Sequence, residues 1–317
     1  MDNTSHRRQE QNIINDETDL ISLFFFFWSR KLTITIATSI GVILSILYSL
    51  SIPNKYISET LVTPSSSFQT NSDTSMMRYS GVASLGGISL PSLGASNNRV
   101  NLAIEILNSR DFRLRFVDKR DIAATLVASK KWDKPTRSII YDEEIYDFKN
   151  SRWIATGANF NENGPTTQTI LDSMTDLISI KKDIETGFVK ISIKHYSPDI
   201  AQQWLIWILQ DINLTLKKRD LEFATKTKTY LVQQIERNSI AQLNQVFNNL
   251  VERQVEKIML AEVQEEYAFT IIDPPILPER KSDPSRVKIV LFYSVISLLI
   301  SMIFVSVLAL YSNKNKQ

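Results

Sequence analysis

The sequence predicts an α+β domain between two transmembrane helices, with a mixed sheet close to the membrane and a long projecting helical hairpin. Three observations predict this class. An uncharged apolar stretch lies near each end, short segments alternate in polarity, and one long run lacks both glycine and proline.

The apolar stretches cover residues 32–52 and 289–311. At about 1.5 Å per residue, either is long enough to cross the roughly 30 Å hydrocarbon core of a bilayer. The first is too long, and too far from the N-terminus, for a cleaved secretory signal. The second is apolar on every face, which is not typical of the amphipathic helices of soluble domains. We therefore expect two membrane spans.

Basic residues close to the spans predict the orientation. The N-terminal flank carries Arg7, Arg8, Arg30 and Lys31, and the C-terminal tail carries Lys314 and Lys316. Basic residues also precede the second span, but long translocated domains largely escape the charge rule, so the first span decides. We expect a two-pass protein of the bacterial inner membrane, with cytoplasmic ends (1–31 and 312–317) and a periplasmic domain (53–288).

The composition of the chain argues against several kinds of functional site. The chain has no cysteine, so neither disulfides nor thiolate metal sites are expected. Its two histidines, His6 and His195, fall in different predicted compartments, and a net charge of +2 gives no nucleic-acid signature. No nucleophile–base pair or phosphate loop is visible, including in the Ser- and Gly-rich stretch 64–96. We expect no enzyme activity, cofactor, metal or nucleic-acid partner.

Several short elements are predicted in the outer segment. Residues 56–62 and 187–194 alternate as half-buried strands do, and residues 178–181 are a plausible hairpin partner for the second of them. Asn98 is a candidate cap for one short helix, and Ser109 precedes another. The Asp142-Glu143-Glu144 run is interpreted as solvated surface.

A long helix is predicted from about Pro198, because Ser197-Pro198 is a typical helix start and neither Gly nor Pro follows until Asp273. A strand at 267–272 precedes the second span, so the chain has to return. The break is expected near Asn238-Ser239, where Ser239 and Gln242 can form a capping box, or near Asn248-Asn249.

Such a hairpin has too thin an apolar seam to be stable alone, so neighbouring copies are expected to complete its packing. Four large apolar residues on or near the arm are the candidates for shared surface: Trp204, Trp207, Leu216 and Phe223. The prediction is a homo-oligomer.

In order and position, these elements resemble the Wzz-type chain-length determinants, the class 1 polysaccharide co-polymerases. The closest part is residues 267–287, YAFTIIDPPILPERKSDPSRV, a strand and proline-rich segment directly before the second span. Further matching parts are LISLF at 20–24, YISETLV at 56–62, ILNSRD at 106–111, GFVKIS at 187–192 and SPDIAQQW at 197–204.

The resemblance implies a ring-forming regulator that sets the modal length of a surface polysaccharide, with lipopolysaccharide O-antigen as the first expectation. Its implied partners are other copies of the chain, a membrane-embedded polysaccharide polymerase and, as a further candidate, lipid-linked polysaccharide. The alternative is a capsule or exopolysaccharide co-polymerase that works with a separate kinase or export partner.

Two sets of residues are candidate sites, one for coupling the outer domain to the membrane and one for packing within the membrane. Pro275, Pro278 and Pro284 form a stiff connector before the second span, since proline restricts the backbone. Small residues form stripes on the spans, and these residues are Gly41, Ser45 and Ser49 on the first span and Ser297 and Ser301 on the second. The second span lacks the glycines that the family often has. Each stripe either contacts the polymerase or only pairs the spans.

Three other function classes are less well supported by the sequence. An enzyme would need a catalytic constellation, and a sensor would need an output domain that residues 1–31 and 312–317 are too short to supply. The same short tail leaves no room for the kinase domain that related co-polymerases carry after the second span. An efflux adaptor generally has one membrane anchor.

Overall fold

The computed structural model describes residues 28–65, 96–237 and 239–314. It divides into two compact units, one containing both apolar helices and the other spanning Asn54–Lys281. Of the serine- and glycine-rich stretch interpreted as a loop without a phosphate site, residues 66–95 lie outside this description.

The first unit contains α1 (Lys31–Ser51) and α8 (Arg286–Lys314). Both are long and apolar enough to cross a membrane. They pack against each other in antiparallel fashion, as the pairs Thr38–Ser301 and Tyr48–Tyr293 show.

The second unit is built on a four-stranded antiparallel sheet with the strand order β10-β1-β9-β8. Its strands are β1 (Tyr56–Pro64), β8 (Ile178–Lys182), β9 (Val189–His195) and β10 (Phe269–Asp273). The predicted pairing of 178–181 with 187–194 is confirmed, with Ile180 opposite Ile191. Val189, Ile191 and Ile193 are fully buried on one face, as their alternation predicted.

Helices cover the buried face of this sheet. They are α2 (Ser96–Asn108), α3 (Arg110–Arg120), α4 (Ala123–Val127) and α5 (Thr167–Leu177), together with the first part of α6 (Pro198–Arg237). Ser109 caps α3 by accepting a hydrogen bond from the Phe112 amide, as expected. The cap expected at Asn98 is wrong, because α2 already begins at Ser96.

Between α4 and α5 the chain forms three small two-stranded sheets that the sequence analysis did not predict. They are β2–β3 (Ser129–Asp133 with Ser138–Tyr141), β4–β5 (Tyr146–Asp147 with Arg152–Trp153) and β6–β7 (Phe160–Asn161 with Gly164–Pro165). Of residues 129–165, only Gly164 is fully buried. This segment, the hairpin segment, therefore has no aliphatic core of its own.

The long helix α6 runs for 40 residues, and α7 (Ala241–Val263) returns alongside it. The antiparallel return is shown by Lys217, whose Nζ donates to the carbonyls of Glu262 and Gln264. The break lies between Arg237 and Ala241, at the first of the two predicted positions, although Asn238 itself is outside the described residues. Asn248 and Asn249 lie inside α7, so that alternative is wrong.

The capping box expected at Ser239 and Gln242 is also wrong. Ile240 occupies the N-cap position of α7, and no side chain caps the helix there. The start of α7 is instead stabilised by packing, since Phe247 is buried in the first turns. The predicted α+β class is confirmed, with a sheet, long helices and two apolar helices near the ends.

Candidate functional site

The apolar helices approach most closely at Gly41 and Ser297. A Cβ atom added to Gly41 would lie 1.9 Å from Ser297 Oγ, which no real pair of atoms tolerates. Ser297 Oγ also lies 3.5 Å from the Thr38 carbonyl, to which it donates. Glycine is therefore required at position 41 by the spacing of the two backbones.

The other small residues of the stripes lie along the same seam. Ser45, Ser49 and Ser301 are all buried, and Ser301 Oγ is 3.2 Å from Thr38 Oγ1. Ser45 and Ser301 also donate to carbonyls of their own helices, those of Val42 and Leu298. The structure thus brings the residues of both predicted stripes together within one chain.

A groove with a volume of about 490 Å³ runs along one side of this helix pair. Gly41 and Ser297 line its middle, and Ile300 lines one end. At the other end the Tyr48 and Tyr293 rings meet edge to face, with their centroids 5.7 Å apart. Its lining is largely apolar.

The first part of the proline-rich connector is held by side chains of the second unit. Ser58 Oγ donates to the Ile276 carbonyl at 2.9 Å, and Thr60 Oγ1 donates to the Asp273 carbonyl at 2.7 Å. Gln202 Nε2, on α6, donates to the carbonyl of Pro275, which is itself buried. Pro274 and Pro275 have no N–H, so their backbone can only accept hydrogen bonds. Polar side chains of β1 and α6 supply the donors to the carbonyls of this segment.

Only part of the predicted proline set takes part in these contacts. Pro275 belongs to the held segment, and Pro278 is half-buried just beyond it. Pro284 lies in the other unit, immediately before α8, and follows a cis peptide bond. The connector is therefore fastened to the sheet at its start.

Charged side chains fasten the helical hairpin to the rest of the second unit. Asp211 on α6 is buried and accepts hydrogen bonds from Lys119 and Arg120 of α3. Further along α6, Asp220 binds Arg99 at 2.5 Å and accepts a 2.7 Å hydrogen bond from the Tyr267 hydroxyl. Burial, followed by the nearby Asp220 charge, raises the pKa of Tyr267, so the phenol stays protonated.

His195 is the buried histidine of the second unit. Its Nδ1 accepts a 3.0 Å hydrogen bond from the Ser197 amide, and its ring lies 5.1 Å from that of Trp204. Burial lowers its pKa to about 4, so the imidazole is neutral at ordinary pH. This histidine has a structural position at the strand-to-helix turn before α6.

No group of three or more His, Cys, Asp or Glu side chains suited to a metal ion is found within the described ranges. The sites that the structure does assemble are a tightly packed helix pair and a hydrogen-bonded connector. Sequence reasoning named the small residues and the prolines but missed Ser58, Thr60 and Gln202. The alternation of β1 places Ser58 and Thr60 on its buried face, and this was the signal that could have found them.

These features define a class of protein with two candidate membrane helices and a single α+β unit between them in the chain. Residues 16–120 match the family model described as Wzz, chain length determinant protein. This part of the chain is therefore similar to the Wzz chain length determinants, and the resemblance predicted from the sequence is confirmed there.

Three solved structures are also similar. A full-length bacterial polysaccharide co-polymerase is 14% identical, with a TM-score of 0.39, over 94% of this chain and 99% of that one. A fragment of WzzB, a co-polymerase from Salmonella Typhimurium, is 11% identical, with a TM-score of 0.26, over 73% of this chain and 100% of the fragment.

A mutant of the Shigella flexneri lipopolysaccharide O-antigen chain-length regulator is 11% identical, with a TM-score of 0.22, over 72% of this chain and 100% of that one. Comparison with curated protein sequences gives no match.

Proposed function

We propose that this protein regulates the chain length of a surface polysaccharide as a non-catalytic scaffold for a membrane polymerase. The observation that carries the proposal is the Wzz match over residues 16–120, which spans α1, β1 and the helices that follow. Lipopolysaccharide O-antigen is the first candidate polymer. The alternative is a capsule or exopolysaccharide co-polymerase with a separate kinase or export partner. The two alternatives differ in which polymer changes in length when the protein is lost.

The proposal includes a two-pass topology in the bacterial inner membrane, with both ends cytoplasmic and the second unit in the periplasm. Its support is the pair of apolar helices and the basic residues Arg30 and Lys31 at the start of α1. A reporter fused after Lys314 should be active only on the cytoplasmic side, and one inserted in the turn at Ile184 only on the periplasmic side.

The functional assembly is proposed to be a ring of identical copies. Three of the four residues expected to be shared between copies are instead packed within their own unit. Trp204 and Leu216 are buried in its core, and Trp207 is half-buried there. Phe223 remains exposed on α6, as do Leu214 and Tyr230. Burying such side chains between copies would contribute about 1.5–3 kcal/mol each. Recovery of a monomer from membranes in mild detergent would contradict the ring.

The polymerase contact is proposed to lie along the groove beside Gly41 and Ser297. Those two residues already face each other, so the stripes themselves are occupied by the pairing of α1 and α8. The groove that they line stays open in a single chain, and it is bordered by Leu44 and Ile300, which suit an apolar helix. The hydrogen-bonded connector would couple the arrangement of the copies in the ring to the position of the membrane helices.

The decisive experiment is deletion of the gene, followed by gel analysis of surface polysaccharide and complementation with the intact gene. Polymer should still be made, but with an unregulated length distribution weighted to short chains, and complementation should restore the modal length. Loss of all polymer with an intact polymerase would favour a catalytic or export role. The polymer whose distribution changes decides between O-antigen and the alternative.

A further inference from the structure

The hairpin segment, residues 129–165, carries a continuous series of aromatic rings at its surface. Tyr141 stacks on Phe148, Tyr141 also contacts Tyr146, Tyr146 contacts Trp153, and Trp153 contacts Phe160, with centroid separations of 4.8–6.2 Å. None of these five rings is fully buried. Aromatic side chains normally contribute to stability by burial, so a series left half-open needs another explanation.

Phe148 is the most open of these rings, with 64% of its surface exposed. One face lies on Tyr141, at an interplanar angle of 10° and a centroid distance of 4.8 Å. Tyr141 is in turn fixed through its hydroxyl, 3.2 Å from Thr125 Oγ1. The stacking leaves the other face of Phe148 as a flat, open platform.

The backbone around Phe148 is also fixed before any ligand arrives. Asp147 Oδ1 accepts hydrogen bonds from the amides of Lys149 and Asn150, and its Oδ2 accepts one from the Asn150 side chain. These bonds close the four-residue tip between β4 and β5 and hold Phe148 at its first position. A platform fixed in this way loses little entropy when a ligand binds.

We propose that the outer face of Phe148 is a stacking site for a pyranose ring of the polysaccharide whose length this protein regulates. An aromatic face carries negative charge density, and the apolar face of a sugar ring presents C–H groups that are attracted to it. Lys149, Ser151 and Arg152 are exposed beside the ring and supply donors for sugar hydroxyl groups. The inference rests on the proposed function, because that function supplies the polysaccharide.

A protein partner fits this surface less well. Stable protein interfaces bury about 800 Å² per partner, around a core of several apolar side chains. Here Phe148 and Ile154 are the exposed large apolar residues between β4 and β6, and charged residues surround them. Each copy in the proposed oligomer would offer one Phe148 side chain for stacking. Such repeated single contacts suit weak multivalent binding of a polymer.

A second tip in the same unit provides a matched control. Asp183 Oδ1 accepts from the amides of Glu185 and Thr186 between β8 and β9, and this places Ile184 at the tip with 92% of its surface exposed. In each tip an exposed apolar residue comes directly after an aspartate, but only Phe148 presents an aromatic ring. Phe148→Leu and Ile184→Ala therefore separate stacking from general apolarity.

The test measures binding of full-length protein in mild detergent to immobilised surface polysaccharide purified from the strain that encodes it. Phe148→Leu and Phe148→Ala should weaken binding about three- to tenfold per site, the range expected for one aromatic contact. Phe148→Trp and Ile184→Ala should bind as the wild type does. The mass of each detergent complex is measured in parallel.

Wild-type affinity in Phe148→Leu would overturn the inference, because an aliphatic side chain would then suffice. Unchanged polysaccharide binding with a reduced complex mass would also overturn it, and would assign the ring to contacts between copies. If the wild type bound no polysaccharide while complementation restored the modal length, the stacking site would fail and the proposed function would stand. Failure of complementation would instead remove the proposed function.

Discussion

Gly41 and Ser297 lie at the point of closest approach of α1 and α8, where a Cβ on Gly41 would sit 1.9 Å from Ser297 Oγ. The contact explains why a second span without glycine can pair closely. The single glycine of α1 supplies the missing space, and Ser297 and Ser301 supply small side chains opposite it. One glycine thus sets the separation of the two helices.

We predict that Gly41→Leu separates α1 from α8, because the Cβ atom alone would already overlap the Ser297 side chain. The chain has no cysteine, so Thr38→Cys and Ser301→Cys can report the separation directly by disulfide formation. Cross-linking of this pair should fall at least tenfold in the Gly41→Leu background. Ile40→Leu, on an exposed position of α1, is the control and should leave cross-linking unchanged.

Polysaccharide length in the same variants tests whether the pairing matters for function. A shifted length distribution in Gly41→Leu, but not in Ile40→Leu, would support coupling through the helix pair. A variant that lost the cross-link and kept both oligomer and modal length would show that this seam is dispensable for regulation.

We predict that the donors that hold the connector contribute to both stability and regulation. Ser58→Ala with Thr60→Val removes two part-buried hydrogen bonds to the carbonyls of Ile276 and Asp273. The cost should be about 0.5–1.5 kcal/mol for each hydrogen bond lost. Chemical denaturation of the full-length protein, followed by tryptophan fluorescence, measures it.

Thr63→Val, on the same strand and half-buried, is the matched control and should change the free energy of unfolding by less than about 0.5 kcal/mol. If the double variant were as stable as this control, the connector would be held by packing alone. A normal modal length in a measurably destabilised double variant would separate the connector from length control.

The sheet and the long helices could be predicted because their signals are local and regular. Val189, Ile191 and Ile193 alternate, and the start of α6 is marked by Ser197 and Pro198. For the break after Arg237 the sequence indicates two positions, Asn238-Ser239 and Asn248-Asn249. The second pair stays helical because α7 buries Phe247, Gln254 and Ala261 against α6, and such packing overrides a weak propensity.

The hairpin segment and the side-chain contacts of the connector could not be predicted for a different reason. The strands β4 to β7 are two residues long, too short for any alternation to be visible. What fixes them is contact between aromatic rings on paired strands, such as Tyr146 with Trp153. Likewise, Gln202 and Pro275 are adjacent only once α6 and β10 have packed on one sheet.

We predict that the protein loses stability between pH 6.5 and pH 4 because of His195. Burial lowers the pKa of His195 from 6.5 to about 4, so the unfolded chain binds a proton in this window that the folded chain does not. The stability from the neutral imidazole is therefore complete above pH 6.5 and is lost as the pH falls to 4. The loss should total about 3 kcal/mol.

His195→Asn removes the titration but keeps an acceptor for the Ser197 amide. Denaturation midpoints at a series of pH values should be flatter in this variant between pH 6.5 and 4. The pKa values of Asp142, Asp147 and Asp183 are lowered below 3.8 by hydrogen bonds, so their contributions are lost only at lower pH. Parallel curves for wild type and variant would assign the acid response to other groups.

The last prediction concerns how the returning chain finds its place beside β1. Asn213 is buried on α6, and its Oδ1 accepts hydrogen bonds from the amides of Ala268 and Phe269 at 2.7 and 2.9 Å. Its Nδ2 donates to the Phe269 carbonyl, so one side chain satisfies three backbone groups at the start of β10. Asn213→Leu keeps a similar volume but leaves all three backbone groups unpaired, and we expect the free energy of unfolding to fall by about 3–5 kcal/mol.

Hydrogen exchange of the peptide covering 264–273 should accelerate strongly in this variant, while Asn161→Leu, at an exposed position of β6, should leave it unchanged. Because β10 leads directly into the connector, the Asn213→Leu variant should also broaden the polysaccharide length distribution. Slow exchange in that variant would mean that pairing of β10 with β1 alone sets the register of the returning chain.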